Sequence, residues 1–107
     1  MPMLKIKGIE KAQIIKESTT LIDELQDLIE CPRDYFTIEI INNEYIMDGN
    51  LADAPALIEV AWFDRGQEIQ DRAAKIITQH FKKDECSLDV IFHSLKNNCY
   101  YENGEHF

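Results

Sequence analysis

The residue with the most unusual chemistry in this sequence is Pro2, which directly follows Met1. Removal of Met1 leaves Pro2 with a free secondary amine, a group that no internal residue has and that can take up a proton as a general base. The alternative is that Pro2 simply begins a β-strand, where the missing N–H of proline is tolerated. These two residues alone do not separate the two interpretations.

The composition of the chain indicates its broad class and its possible partners. The chain has 107 residues, 45% of them hydrophobic, which predicts one globular domain. Its net charge of −9 argues against nucleic acids and anionic membrane surfaces as main partners. No stretch resembles a targeting or membrane-spanning segment, so we expect a cytoplasmic protein.

The cysteines and histidines do not follow any metal-binding pattern. Cys31, Cys86 and Cys99 are odd in number and scattered, which predicts reduced thiols rather than a disulfide framework. The three histidines likewise lack ligand spacing. We therefore expect neither a metal site nor a cofactor.

The apolar pattern predicts two similar halves. Strand patterns at 3–8, 35–41, 56–63 and 87–94 alternate with helical patterns at 11–30 and 67–83. The halves are in register, since Ile15 and Ile69 are 54 positions apart, as are Ile22 and Ile76. The sequence thus predicts a single α+β domain over 1–107, a doubled βαβ with pseudo-repeats at about 3–47 and 56–94 and an extension at 95–107. Right-handed crossovers place both helices on one face of a four-stranded mixed sheet.

Three local features complete this prediction. Asn42-Asn43 suits a hairpin turn into a short strand at 44–47, and residues 48–55 then form a loop. Asn103-Gly104 predicts a turn in the C-terminal extension. Asp64 and Gln67 have the spacing of a capping box at the start of the second helix.

The sheet face without helices carries charges of both signs between apolar residues, among them Lys5, Lys7, Glu39, Glu59 and His93. Either this face is solvated, or it packs against other copies of the chain, where opposite charges on neighbouring strands pair. The pattern is compatible with both.

Four stretches together resemble the tautomerase superfamily of the macrophage migration inhibitory factor type, in an uncharacterised bacterial branch: MPMLKIKGI, CPRDYFTIEII, VAWFDRGQEIQDRAAKIIT and YYENGEHF. The resemblance covers the whole chain. It implies a homotrimer with the bare sheet faces at its centre and an active pocket between subunits at the amino-terminal proline. It also implies that Pro2 is the base of a keto–enol isomerase acting on a small carboxylic acid.

Within that resemblance, two arginines are candidates to bind the carboxylate of the substrate. Arg33 follows Pro32, where relatives have a basic residue nearby, although the position at which macrophage migration inhibitory factor has a lysine is Cys31 here. Arg33 is otherwise a solvated loop residue paired with Asp34. Arg65 stands where a helix begins, which is unfavourable for a cation and therefore indicates a function.

Aromatic residues are the remaining candidates. Trp62 and Phe63 end the third predicted strand, where relatives have an apolar pocket wall, and they also suit the core. Tyr100 and Tyr101 follow the last strand and either donate a phenolic hydroxyl to an oxyanion or pack at the C-terminus.

The leading hypothesis is therefore a cytoplasmic, trimeric tautomerase-like enzyme. A non-enzymatic oligomeric binding protein with the same fold is the main alternative. A ferredoxin-like regulatory domain, in which Pro2 has no chemical role, is a third interpretation of the same element order.

Overall fold

The computed structural model describes residues 1–107, and its main sheet has the doubled arrangement predicted from the sequence. The main-sheet strands are β1 (Met3–Lys7), β2 (Thr37–Ile40), β5 (Ala56–Phe63) and β6 (Leu88–Leu95). The helices are α1 (Lys11–Ile29) and α2 (Gln67–Phe81). The short strands are β3 (Tyr45–Met47), β4 (Asn50–Ala52), β7 (Tyr101–Glu102) and β8 (Glu105–His106).

The strands of the main sheet follow the order β2-β1-β5-β6. Each half contributes one parallel pair, β1 with β2 and β5 with β6, and the two halves meet through the antiparallel pair β1–β5. Because each parallel pair is joined through a helix, the fold is the predicted α+β doubled βαβ. Neither helix is both long and apolar enough to cross a membrane.

The core lies between the sheet and the two helices. Leu4 and Ile6 from β1 and Ile58, Val60 and Trp62 from β5 are all at most 2% exposed. Their alternation with exposed or half-buried neighbours is the period of two that is expected of a sheet with one covered face. Trp62 is completely buried and packs against Phe92 of β6, with the ring centroids 4.9 Å apart and the rings tilted by 37°.

The predicted hairpin at Asn42-Asn43 is wrong. The chain is irregular there, and the turn lies at Asp48-Gly49, between β3 and β4, inside the stretch predicted as a loop. Both turn residues have positive φ, 51° and 79°. Asp-Gly is the stronger sequence for a two-residue turn of this kind, because glycine adopts positive φ without a steric penalty.

The turn at Asn103-Gly104 is confirmed, and it joins β7 to β8. The predicted capping box is wrong, because α2 begins at Gln67 itself and its N-cap residue is Gly66. The carboxylate of Asp64 instead accepts a 2.9 Å hydrogen bond from the backbone N–H of Gly66. This contact tightens the turn that leads from β5 into the helix.

Candidate functional site around the amino terminus

Pro2 lies at the entry to β1, between two neighbouring strands. Its backbone carbonyl accepts a 3.1 Å hydrogen bond from the N–H of Thr37. On the other side of the chain, the next residue, Met3, pairs with Ala61 of β5. The side chain of Pro2 is fully buried. Pro2 is therefore tied to β2 directly, and to β5 through its neighbour Met3.

The amino group of the chain lies in an unusual electrostatic environment. Burial and the charge of Arg65 lower the pKa of the Met1 amino group, and Cys31 opposes them weakly. A lowered pKa increases the fraction of unprotonated amine near neutral pH. The nitrogen of Pro2 is one residue further along the chain, about 3.8 Å away on the scale of consecutive Cα atoms, so it lies close to the amino group on which Arg65 acts.

Arg65 is half-buried, in the turn after β5. Its Nε is shielded from solvent and has no acceptor within the chain. A buried donor without a partner costs free energy, so it marks a place where an acceptor from outside the chain would be bound favourably. The guanidinium is thus free to bind an anion beside the amino terminus.

Cys31 is the third member of this group, and the sequence did not mark it as functional. Burial raises the pKa of its thiol, while Arg65 and the amino terminus act in the opposite direction. The thiol is therefore the neutral neighbour of two cationic groups. The available signal was its position directly before Pro32, where the resemblance leads one to expect a lysine.

Arg33 lies apart from this group. Its Nη1 donates a 2.6 Å hydrogen bond to Asp23 of α1, and its Nη2 donates to the backbone carbonyl of Thr19 at 3.3 Å. The expected partner, Asp34, is not the one it uses. Arg33 is therefore held on the outer surface of α1 by contacts within the chain.

The aromatic candidates divide into three environments. Phe63 and Tyr100 come together at 5.6 Å, and Phe107 closes the cluster at 5.7 Å from Phe63 and 4.9 Å from Tyr100, all between ring centroids. Trp62 faces the core instead, and its Nε1 is buried without an acceptor. Tyr101 is 61% exposed and contacts only the ring of His106 among the aromatic residues. Phe63 and Tyr100 therefore form an aromatic wall, completed by Phe107, at the end of the sheet where β1 begins.

The chain has two large cavities, and neither is lined by Pro2. They measure about 440 Å³ and about 480 Å³ and lie around Gly8, beyond the opposite end of β1. No three His, Cys, Asp or Glu side chains are placed together to hold a metal ion. The chemistry available at the amino terminus is thus that of an amine, a free guanidinium and an aromatic wall.

Comparison with known proteins places this arrangement in a family. The model of a domain of unknown function, DUF1904, matches residues 1–106. A DUF1904 protein from Sebaldella termitidis is 38% identical over 100% of both chains, with a TM-score of 0.91. A protein of unknown function from Vibrio cholerae is 33% identical, over 99% of this chain and 87% of the other, with a TM-score of 0.86. No curated protein matches the chain.

More distant structures share the fold. A macrophage migration inhibitory factor-like protein from Entamoeba histolytica is 16% identical over 99% of this chain and 98% of its own, with a TM-score of 0.64. A fused 4-OT symmetric trimer is 16% identical over 97% of this chain and 94% of its own, with a TM-score of 0.71. Pt0534 inactivated by 2-oxo-3-pentynoate is 14% identical over 98% of this chain and 94% of its own, with a TM-score of 0.64. The resemblance to the tautomerase superfamily is thereby confirmed at the level of the fold.

Proposed function

The chain belongs to the DUF1904 family, and from this premise we propose that it is a tautomerase-like isomerase whose base is the amine of Pro2. The observation that carries the proposal is Arg65, whose Nε is buried without an acceptor and whose charge acts on the amino terminus. Removal of Met1 converts the Pro2 nitrogen from an amide into a secondary amine at the same place.

In the proposed reaction, Arg65 binds the carboxylate of a small 2-oxo acid. A guanidinium suits this role because its planar donors match the two carboxylate oxygens. The unprotonated amine of Pro2 then removes a proton from the carbon next to the carbonyl, and the electron pair moves to the carbonyl oxygen. Protonation of that oxygen gives the enol, and the reverse sequence restores the keto acid.

The aromatic wall of Phe63, Tyr100 and Phe107 supports the same proposal. An apolar neighbour disfavours the protonated form of the amine, because a charge is poorly solvated there. The hydroxyl of Tyr100 is the donor we assign to the developing oxyanion. Tyr101 and Trp62 have no part in this scheme, since one is mostly exposed and the other faces the core.

We further propose that the chain assembles as a homotrimer that completes the substrate pocket. Neither large cavity adjoins Pro2, so a second copy supplies the missing wall. The bare sheet face suits such contacts. There Glu59 is bonded to Lys7 at 3.2 Å and to His93 at 3.0 Å, and Ile91 is 44% exposed. The fused 4-OT neighbour, which is described as a symmetric trimer, agrees with this assembly.

The experiment that tests the activity is proton exchange on 2-oxopentanoate in D₂O, followed by NMR. Protein lacking Met1 should accelerate loss of the C3 proton signal. A matched protein with one extra residue before Pro2 keeps the whole chain but converts the amine into an amide, and it should not accelerate the loss. Equal exchange with both proteins would contradict the proposal and favour a non-enzymatic binding protein with this fold.

A further inference from the structure

The smaller of the two cavities lies far from the amino terminus and is not used by the proposed reaction. It is bounded by the segment after β1, the segment before β5 and the segment that joins α2 to β6. Its volume of about 440 Å³ is within the range of about 300–1,000 Å³ that is typical of small-molecule sites. β1 is five residues long, which separates this cavity from Pro2 by about 17 Å.

One wall of the cavity is held by a close backbone contact. Gly8 has a φ of +74°, and a Cβ added to it would lie 2.3 Å from the carbonyl oxygen of Pro55. Only glycine permits this approach, so the two segments that carry the wall are fixed against each other. This wall of the cavity is therefore set by direct backbone packing.

Apolar side chains make up about half of the lining. They include Ile9, the buried Phe81 at the end of α2, and Leu88 at the start of β6. A surface of this kind binds the hydrocarbon part of a ligand, because apolar area is removed from water on both sides.

The polar side chains of the lining are all without hydrogen bonds in the chain, and none of its charged members takes part in an ion pair. They are Glu10, Gln13, Asp53, Lys83, Cys86 and Ser87. Elsewhere the chain pairs several of its charges, for example Lys7 with Glu59. The donors and acceptors around the cavity are thus available to a ligand.

The charges are arranged by sign. Glu10 and Asp53 also line the neighbouring cavity of about 480 Å³, so they stand on the wall between the two cavities. Lys83 lines only the smaller one, together with Phe81 and the segment before β6. A cation and two carboxylates therefore line the same cavity without forming an ion pair with one another.

We infer that this cavity binds a free α-amino acid with an apolar side chain. The ammonium group of the ligand pairs with Asp53 and Glu10, its carboxylate pairs with Lys83, and its side chain lies on Ile9, Phe81 and Leu88. A ligand with only one charge leaves the opposite wall unpaired, and a polar side chain loses the apolar contact. The inference does not depend on the reaction proposed for Pro2.

Cys86 provides a direct measurement, because it lines the cavity and its thiol is exposed. The protein is alkylated with iodoacetamide, with and without L-leucine, and the rate at each cysteine is followed by peptide mass spectrometry. L-leucine should slow alkylation of Cys86 and leave that of Cys31 and Cys99 unchanged, since these two lie outside the cavity. The probes 4-methylpentanoate, which lacks the ammonium group, and 3-methylbutylamine, which lacks the carboxylate, should each need at least about tenfold higher concentrations.

Two variants complete the test. Lys83→Gln and Asp53→Asn should each weaken the protection by L-leucine by about tenfold or more. Lys82→Gln is the matched control, because Lys82 lies outside the cavity lining and bonds only to backbone carbonyls. The inference is overturned if L-leucine gives no protection of Cys86 at millimolar concentration. It is also overturned if a singly charged probe protects as well as L-leucine does, which would indicate a simple anion or amine site.

Discussion

Arg33 donates a hydrogen bond of 2.6 Å from its Nη1 to the Oδ1 of Asp23, ten positions earlier in the chain. This contact holds the guanidinium against the outer surface of α1, whereas Arg65 acts on the amino terminus from the turn after β5. The two arginines that the sequence offers as carboxylate ligands therefore differ in availability. One is paired within the chain, and the other has a buried Nε without an acceptor.

The first prediction separates these arginines. Arg65→Ala should slow the reaction of Pro2 with 2-oxo-3-pentynoate by about 10–100-fold, as expected for about 1.4–2.7 kcal/mol of lost transition-state stabilisation. Arg33→Ala is the matched control and should react like the unchanged protein. The reaction is followed by the mass of the N-terminal peptide. A slow Arg33→Ala variant beside a normal Arg65→Ala variant would reverse the assignment.

The second prediction concerns His80, which joins α2 to α1. Its Nδ1 lies 2.8 Å from Glu17, and its Nε2 bonds to Glu24. Burial alone would lower the pKa of His80, but the hydrogen bonds to Glu24 and Glu17 outweigh it and raise the pKa above its usual value. The stabilisation of the fold by protonated His80 is therefore fully present below the unfolded-state pKa of about 6.5. It is lost as the pH rises through the higher folded-state pKa.

His80→Gln provides the comparison for this prediction. The free energy of unfolding of the unchanged protein, measured with urea, should exceed that of His80→Gln. This excess should be larger at about pH 6 than at about pH 9. The difference should shrink as the pH rises, because the imidazole loses its charge between the two carboxylates. A difference that is constant over this pH range would contradict the charged bridge between the helices.

The third prediction concerns the backbone contact at Gly8. Gly8→Ala should destabilise the fold by about 1–3 kcal/mol, since it combines the strain of a positive φ with a clash against Pro55. Gly49→Ala is the matched control, because Gly49 has a similar φ of +79° and nothing within 4 Å of its added Cβ. Urea unfolding should show a clearly smaller loss for Gly49→Ala. Equal losses would mean that strain alone, and not the contact with Pro55, sets the cost.

The fourth prediction tests the proposed trimer. Hydrogen bonds from His93 and Lys7 hold the pKa of Glu59 below its usual value, so Glu59 is charged on the bare sheet face at neutral pH. Glu59→Lys should weaken self-association, because like charges then meet in a partly desolvated interface. Glu85→Lys makes the same charge reversal at an exposed position outside the main sheet. Light scattering should find a trimer for the unchanged protein and Glu85→Lys, and smaller species for Glu59→Lys. A monomer at micromolar concentration for the unchanged protein would contradict the assembly.

The main elements of the fold were predictable because their periodicity is strong. The helical repeats of α1 and α2 and the alternation in β1 and β5 agree with the structure. The hairpin was misplaced at Asn42-Asn43 because the Asp48-Gly49 turn was taken as part of a loop. The capping box failed for a related reason, since the spacing of Asp64 and Gln67 suits either a cap or a tight turn.

The candidate site was predictable only in part. Pro2 and Arg65 were marked by local features, namely the position after Met1 and a cation where a helix starts. The choice between Arg33 and Arg65 depended on Asp23 of α1. Asp23 lies near Arg33 only because the chain reverses direction between the end of α1 and the start of β2. Phe107 joins Phe63 and Tyr100 through the C-terminal hairpin, a contact between distant segments that carries no local pattern.

The central claim is that Pro2 provides a reactive amine beside an anion-binding arginine. The most direct measurement is the site of modification by 2-oxo-3-pentynoate, the compound that inactivates the structural neighbour Pt0534. Intact mass spectrometry of untagged protein should show loss of Met1, and peptide mapping after treatment near pH 7 should place one adduct at Pro2 before any lysine reacts. Retention of Met1, or an adduct distributed over lysines and cysteines with Pro2 unmodified, would contradict the account.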